Sequence, residues 1–339
     1  MAKIVECVPN FSEGRDIKII NAIAGAISSV HGVKFISAEP DKDYNRTVVT
    51  FIGHPEAVVE AAFKSTKTAA ELIDMTLHKG EHPRLGATDV VPFVPVSGVS
   101  MKDCVKLAQE FGRRVGEELA IPIYLYEEAA TLPERRNLST IRKGEYEGLP
   151  AKLKDPTWKT DFGPTSFNAK SGATVTGARA FLIAYNVNLN TSDTKLANEI
   201  ALRIRESGRV KKDAEGNPIL DEKGQKVNIP GSLKAVKAMG VLLEAHQIAQ
   251  VSINLVDYKV TPPHIAFEEV QKQAATLGIR VTGSEIVGLT PKEALVMAGK
   301  FYENGTSDEE KLLAVAIDRL GLSELEQFDP HKKIIEYQL

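Results

Sequence analysis

The sequence predicts an α/β protein built of two similar lobes. Short apolar runs of strand length alternate with longer segments whose apolar residues recur at helical spacing. The order of these segments in the first half returns in the second. A chain of 339 residues can also supply two units, each with a core of its own.

The first run, Ile4 to Val8, reads as a strand closed by PNFSEG at 9–14. Ser12 is the expected N-cap of a helix from about Arg15 to Val30, with Ile17, Ile20, Ile23, Ala24 and Ile27 on one face. Gly32 ends it. Val33 to Ala38 and Thr47 to Ile52 read as strands around a polar tip, Glu39 to Arg46. Pro55 opens a long amphipathic helix to Asp74, at the favoured first-turn position. A dense polar cluster follows, His78-Lys79-Gly80-Glu81-His82-Pro83-Arg84, on the loop before a strand at Val90 to Val96 interrupted by Pro92 and Pro95. Ser100 is the expected cap of a helix to Leu119, with Asp103 in its first turn. Ile121 to Tyr126 is one more strand. This order is a split β-α-β core of ferredoxin-like plan with one αβ unit added.

Residues 127–162 read as an extended surface excursion with a short helix near Leu138 to Gly144. The loop GPTSFNAKSG, Gly163 to Gly172, has a glycine at each end, where backbone N–H groups can come close to a ligand. It leads through Ala173 to Gly177 into a strong strand, Phe181 to Leu189. The second half then reads as a helix at 193–206, strands at Gly240 to Glu244 and Ala249 to Asp257, a helix at 264–277, a strand at Arg280 to Thr282 and a helix at 291–303. That is β-α-β-β-α-β again. Residues 211–228 read as a surface hairpin with Lys223-Gly224 at its tip. An amphipathic helix, Ser307 to Leu322, precedes a polar, partly loose end. The expected organisation is one subdomain at 1–180, a second at 181–326 and a tail at 327–339.

Hydrophobic residues make up 43% and charged residues 26% of the chain, the balance of a soluble globular protein. A net charge of −3 argues against a general nucleic-acid binder. It leaves an anionic small molecule open, because local charge decides that. Lys79, Arg84, Lys170 and Arg179 lie in or near glycine-containing stretches and are candidates for such a patch. No apolar run approaches the roughly 18 residues of a membrane span. The opening Met1 to Glu6 is unlike a signal peptide, so no membrane partner is expected. Cys7 and Cys104, in apolar contexts, read as reduced thiols of a cytoplasmic protein. Nucleotide loops and nucleophile elbows are not found.

His82 carries the candidate chemistry. Pro83 biases its backbone towards an extended conformation, and imidazole suits proton transfer at neutral pH. An acid of the 39–46 hairpin is expected to orient the ring and favour its charged form, while Arg84 and Lys79 hold carboxylates. The His78/His82 spacing suggests a metal pair, but Gly80 and Pro83 break the helix that such a pair needs. No metal is expected. Pattern alone stops at a two-lobed α/β protein, with an enzyme for an anionic small molecule and an ordinary surface loop both open.

Six stretches go further: VECVPNFSEG at 5–14, HKGEHPRLGATDV at 78–90, PIYLYEEAA at 122–130, DFGPTSF at 161–167, GATVTGAR at 172–179 and AQVSINLVDY at 249–258. Together they resemble the formiminotransferase (glutamate formimidoyltransferase) family, in the right order from residue 3 to about 322. The resemblance implies an α/β (α+β) fold of two ferredoxin-like subdomains with a ligand tunnel or cleft between them, in a cytoplasmic homodimer. It implies transfer of a formimino group from N-formimino-L-glutamate to N5 of tetrahydrofolate, the co-substrate, in histidine degradation, with no metal, nucleic acid or membrane involved. Relatives in animals are often fused to a cyclodeaminase. This chain ends near where that domain would begin, so a stand-alone transferase is expected. The family's catalytic histidine falls on His82. Its folate segment falls on Gly163, Pro164, Thr165, Ser166, Phe167, Asn168, Ala169, Lys170, Ser171 and Gly172, of which Asn168 to Ser171 depart from the relatives. Its hairpin acid falls on Glu39, where relatives carry aspartate, with Asp41 as the alternative. Arg46, Arg84, Lys170 and Arg179 are the candidates for holding substrate carboxylates, and His78 reads as structural. Two alternatives stay open, a relative that processes 5-formyltetrahydrofolate and a non-catalytic module that binds folate or an amino acid.

Overall fold

A computed structural model describes residues 3–222, 224–244 and 246–338. The chain forms two compact units that part between Ala180 and Phe181. The first contains β1 (Ile4–Cys7), β2 (Asn10–Phe11), α1 (Ile17–Ser28), β3 (Val33–Asp41), β4 (Arg46–Gly53), α2 (Pro55–Leu72), β5 (Thr88–Ser97), α3 (Met101–Glu118), β6 (Ile123–Glu127), α4 (Leu138–Arg142), α5 (Glu145–Lys152) and β7 (Thr174–Ala178). Strands β3, β4, β1 and β5 pair antiparallel in the ferredoxin-like order. β2 continues the line of β1 between β4 and β5. Beyond β5 the sheet goes on in parallel through β7 to β6.

Strand β7 departs from the expectation. The run from Ala173 is a strand of its own and not the approach to the next one. Its threonines and Gly177 hide it from a reading based on hydrophobicity. The sheet buries them all the same: Thr174 and Thr176 donate their hydroxyls to the carbonyls of Thr88 (2.6 Å) and Val91 (2.9 Å). Gly177 is required, since a Cβ there would lie 2.3 Å from the Tyr126 carbonyl oxygen.

Helix α1 is capped by Asp16, whose carboxylate accepts from Lys18 N–H at 2.8 Å, while Ser12 donates to Gly86 O at 2.7 Å. β5 runs through Pro92 and Pro95, because proline loses only its donor and the Pro92 carbonyl still accepts from Val8 N–H. α3 has the expected cap in full, a reciprocal Ser100/Asp103 capping box.

The sheet has two unlike faces. Val5, Cys7, Phe11, Val49, Phe51 and Phe93 pack under α1, α2 and α3. Cross-strand partners share a face. The pairs Glu6–Ile52, Asn10–Val48, Glu39–Val48 and Asp41–Arg46 therefore put Glu6, Asn10, Glu39, Asp41 and Arg46 on the opposite face. Residues 127–162 are more than a surface excursion. Their Ile141, Leu149 and Leu153 form a second core with Val90, Tyr124, Tyr126 and Val175 on that face.

The second unit contains β8 (Ile183–Leu189), α6 (Thr194–Ile204), β9 (Arg209–Val210), β10 (Asn228–Ile229), β11 (Val236–Leu243), β12 (Ile248–Leu255), α7 (Pro263–Thr276), β13 (Val281–Val287), α8 (Lys292–Tyr302), α9 (Glu309–Arg319) and α10 (Pro330–Lys333). Its sheet, β11-β12-β8-β13, is antiparallel throughout and repeats the strand order of the first unit's core. β9 and β10 pair, and the Lys212–Pro218 and Leu220–Lys226 bridges lie in the segment between them. The expected tip residue Lys223 lies outside the described residues. The end of the chain is not loose where it is described. Ile334 and Ile335 are fully buried, and Ile335 N–H donates to Thr290 O at 3.0 Å.

His264 on α7 is expected to make this unit acid-sensitive. It is 6% exposed and stacks on Phe301 at 4.7 Å, and its Nδ1 has no hydrogen-bond partner among the described residues. Burial pushes its pKa down to about 4, with Glu268 pulling weakly the other way. In the unfolded chain the ordinary value is about 6.5. The stabilisation is therefore complete above about pH 6.5 and is lost as the pH falls towards 4, a difference of about 3 kcal/mol. Urea unfolding between pH 7 and pH 4.5 should show that loss, and His264→Phe should flatten it.

Candidate active site

The loop carrying His82 is held by the β3–β4 turn. Asn45 adopts a positive φ of 47° there. Its Oδ1 accepts from Gly14 N–H (2.9 Å), its Nδ2 donates to Lys79 O (3.1 Å) and its carbonyl accepts from His78 Nε2–H (2.9 Å). Arg84 Nε–H donates to the other ring nitrogen of His78 at 3.3 Å, which fixes the tautomer. Burial, chiefly, lowers the His78 pKa, so this histidine is a neutral structural bracket. Gly80 lets the loop press on the turn, since a Cβ there would lie 2.2 Å from Tyr44 O.

His82 is half-buried, with its ring 5.6 Å from that of Tyr44. Nδ1–H donates to Pro83 O at 2.7 Å, since a carbonyl can only accept. The neutral ring therefore keeps its lone pair on Nε2, as a base requires. Burial first, then the charges of Arg46 and Arg142, hold the His82 pKa below its usual value, with Pro83 O and Asp89 pulling the other way. The sequence reading expected a hairpin acid to favour the charged ring. Instead Glu39 is exposed and accepts from Ser37 Oγ at 3.2 Å. Asp41 shapes the turn by accepting from the N–H groups of Asp43 (2.9 Å) and Tyr44 (2.8 Å). The carboxylate whose field reaches His82 is Asp89.

His82 and Pro83 line a cavity of about 540 Å³ whose other wall is Ser139, Thr140, Arg142, Lys143, Gly144 and Glu145. Arg142 and Asp89 are the residues that sequence reasoning missed. Nothing in the stretch NLSTIRKGE marks Arg142. The signal for Asp89 is a break in strand register: Phe11 faces Thr88 and Asn10 faces Val90, so Asp89 sits at a β-bulge, which re-aims a side chain. Asp89 is 1% exposed, accepts from Leu85 N–H at 3.0 Å and pairs with the Arg142 guanidinium. Arg46 donates to Asn10 Oδ1. The buried Nε–H groups of Arg46 and Arg142 have no partner among the described residues.

Three other candidate cations are engaged elsewhere, and Lys79 is exposed. Arg84 is buried and forked onto Glu147 (2.7 Å) and Glu145 (3.0 Å) of α5, so its donors are taken up by the protein. Lys170 donates to Glu71 O at 2.7 Å, in the last turn of α2, where a cation suits the helix dipole. Arg179 donates to Ala180 O at 3.0 Å and lies beside buried Glu6, whose carboxyl burial pushes up to about 7 against the Arg179 charge.

The glycines of the 163–172 segment serve close packing of backbone on backbone. Both have positive φ, and a Cβ would lie 2.5 Å from Ile121 O at Gly163 and 2.1 Å from Leu85 O at Gly172. The N–H groups expected to approach a ligand are partly used internally: Asn168 accepts from Ser171 N–H (2.9 Å) and from Gly172 N–H (2.7 Å). Ser171 O accepts from Ala87 N–H, and Gly172 bridges Gly86, which laces the segment beside the stretch that follows His82. Thr165, Ser166 and Phe167 are exposed. Phe167 is 36% exposed and tilts against Tyr146 at 5.4 Å. Phe167 of the segment thus forms an aromatic pair with Tyr146 of α5. Among the described residues no group of three or more His, Cys, Asp or Glu is placed to hold a metal ion, and no helix is long and apolar enough to cross a membrane.

Comparison with known proteins gives the family. Residues 4–179 match the family model "Formiminotransferase domain, N-terminal subdomain", and residues 184–339 match "Formiminotransferase domain". The chain is 40% identical over 339 residues to a glutamate formimidoyltransferase of Streptococcus pyogenes, covering 100% of this chain and 99% of the relative. It is 47% identical over 301 residues to one of Thermoplasma acidophilum, covering 88% and 92%. It is 50% identical over 343 residues to a formimidoyltransferase-cyclodeaminase of Dictyostelium discoideum, covering 100% of this chain but 61% of that relative's length. With both of its units matched, this chain belongs to the formiminotransferase family.

Proposed function

We propose that the chain is a glutamate formimidoyltransferase, moving a formimino group from N-formimino-L-glutamate to N5 of tetrahydrofolate, with His82 as acid and base. The observation that carries this reading is a half-buried imidazole in a cavity wall, held in the Nδ1–H tautomer, with burial and two arginines lowering its pKa. His82 Nε2 takes the proton from N5 as N5 bonds to the carbon of the protonated formimino group and the C=N π pair moves onto its terminal nitrogen. The tetrahedral carbon then carries three nitrogens. The imidazolium gives the same proton to the glutamate nitrogen as the terminal nitrogen's lone pair re-forms the C=N bond and the bond from the glutamate nitrogen to the carbon breaks. One proton passes from N5 to the leaving amine, and none is consumed. A base that is unprotonated at neutral pH and returns its proton suits this exchange, and a shared cavity supplies proximity.

Exposed Phe167, tilted against half-buried Tyr146, supports a folate role for 163–172, because an aromatic pair can stack on a flat ring system. We propose tetrahydrofolate as co-substrate. Two buried free thiols, Cys7 and Cys104, fit work in a reducing cytoplasm. A homodimer and a place in histidine degradation rest on the family resemblance. The test is release of L-glutamate from formiminoglutamate, dependent on tetrahydrofolate and paired with formation of 5-formiminotetrahydrofolate. Turnover of 5-formyltetrahydrofolate alone, or folate binding without turnover, would replace this reading by one of its alternatives.

A further inference from the structure

Arg46 and Arg142 form an electrostatic cluster with His82, in which each arginine charge lowers the imidazole pKa and the Arg142 charge also bears on Arg46. Among the described residues, the Arg46 guanidinium is anchored on Asn10 and that of Arg142 on Asp89. Each also has a buried Nε–H with no partner among the described residues. Burying a donor without a partner costs free energy unless a ligand satisfies it. Asp89 is the buried carboxylate of the cluster, Asp41 lies across from Arg46 on β3, and Tyr44 adds a weak influence. Positive charge and unused donors thus meet beside a base, at a cavity wall that includes Arg142.

We propose that Arg142 and Arg46 hold a carboxylate of the amino-acid donor, and that Asp89 is the positioning residue that aims Arg142. The proposal rests on the formimino-transfer reading. Guanidinium N–H groups match carboxylate geometry. Both substrates end in glutamyl carboxylates, but their chemistry separates them. In the donor, the α-carboxylate is attached to the carbon that bears the formimino nitrogen. In tetrahydrofolate, a whole benzoyl ring lies between the pterin and the glutamyl tail. A carboxylate held next to the base that serves the reacting carbon is therefore the donor's. The bulge at Asp89 supplies the aim, because it turns a carboxylate out of the strand's alternation towards α4.

Removing Arg142 alone would leave Asp89 buried and unpaired, so the test uses two other variants. Arg142→Lys keeps a charge for Asp89 but loses the fork and the Nε donor. Asp89→Asn/Arg142→Gln removes both charges together. Each should raise KM for formiminoglutamate by roughly 10- to 100-fold, with KM for tetrahydrofolate unchanged. Glutarate, as a probe of the clamp, should bind the wild type and raise the NMR-measured His82 pKa. The double variant should lose that binding and show a higher His82 pKa without ligand. An unchanged donor KM, a rise in the tetrahydrofolate KM instead, or equal glutarate binding by the double variant would overturn the proposal. A wild type that does not transfer formimino groups overturns the activity reading. A wild type that does, beside variants with normal donor KM, overturns the clamp alone.

Discussion

His82→Ala is expected to lower kcat for formimino transfer by roughly 10²- to 10⁴-fold, the usual range for an acid–base group, while tetrahydrofolate still binds. The substitution removes the Nε2 lone pair. It leaves the loop intact, because the loop is held by Asn45, His78 and Gly80. The pH profile offers a second check. The active form has the ring neutral, and burial with two neighbouring arginines depresses its pKa. In the wild type, kcat/KM should therefore be flat at pH 7 and fall only as the pH drops below about 6.5, the ordinary histidine value. An acid limb above that value, or unchanged turnover in His82→Ala, would sink the proposed mechanism.

Arg135→Ala is expected to destabilise the first unit by about 3–5 kcal/mol, the cost of leaving one partner of a buried ion pair alone. The side chains of Arg135 and Asp161 are 4% and 7% exposed and meet at 3.1 Å. Arg135 also donates to Thr157 O (3.1 Å) and Lys159 O (2.9 Å), and its guanidinium lies over the rings of Tyr124 and Trp158. Asp161 in turn accepts from Leu125 N–H at 2.8 Å and from the Thr131 hydroxyl at 2.6 Å. This clip pins both ends of the excursion to β6, and the excursion carries α4 with Arg142. Urea unfolding should report the loss. Adding Asp161→Asn should recover part of it, because the stranded charge is then gone. If Arg135→Ala unfolds at the wild-type urea concentration, the clip has no such role.

Much of this fold is legible in the sequence, for a local reason. Helical and strand periods, the Ser100 cap and the polar loop between α2 and β5 depend on residues close together in the chain, and the two β-α-β-β-α-β runs are visible as such. β7 escapes a hydrophobic pattern because its threonines satisfy their hydroxyls on β5 carbonyls, a partner that such a pattern does not record. The excursion reads as surface because its core residues Ile141, Leu149 and Leu153 are scattered among charges.

The site divides in the same way. Local pattern sets the α/β class, the placing of His82 before a proline in a loop, and a resemblance that points to formimino transfer. Which charges are free depends on contacts between segments far apart in the chain. Arg84 and Lys170 looked available and are held by Glu145, Glu147 and Glu71 O, while Arg142, unmarked in sequence, stands in the cavity wall with a donor unused. A cation's freedom depends on what reaches it from elsewhere in the chain, and no local pattern records that.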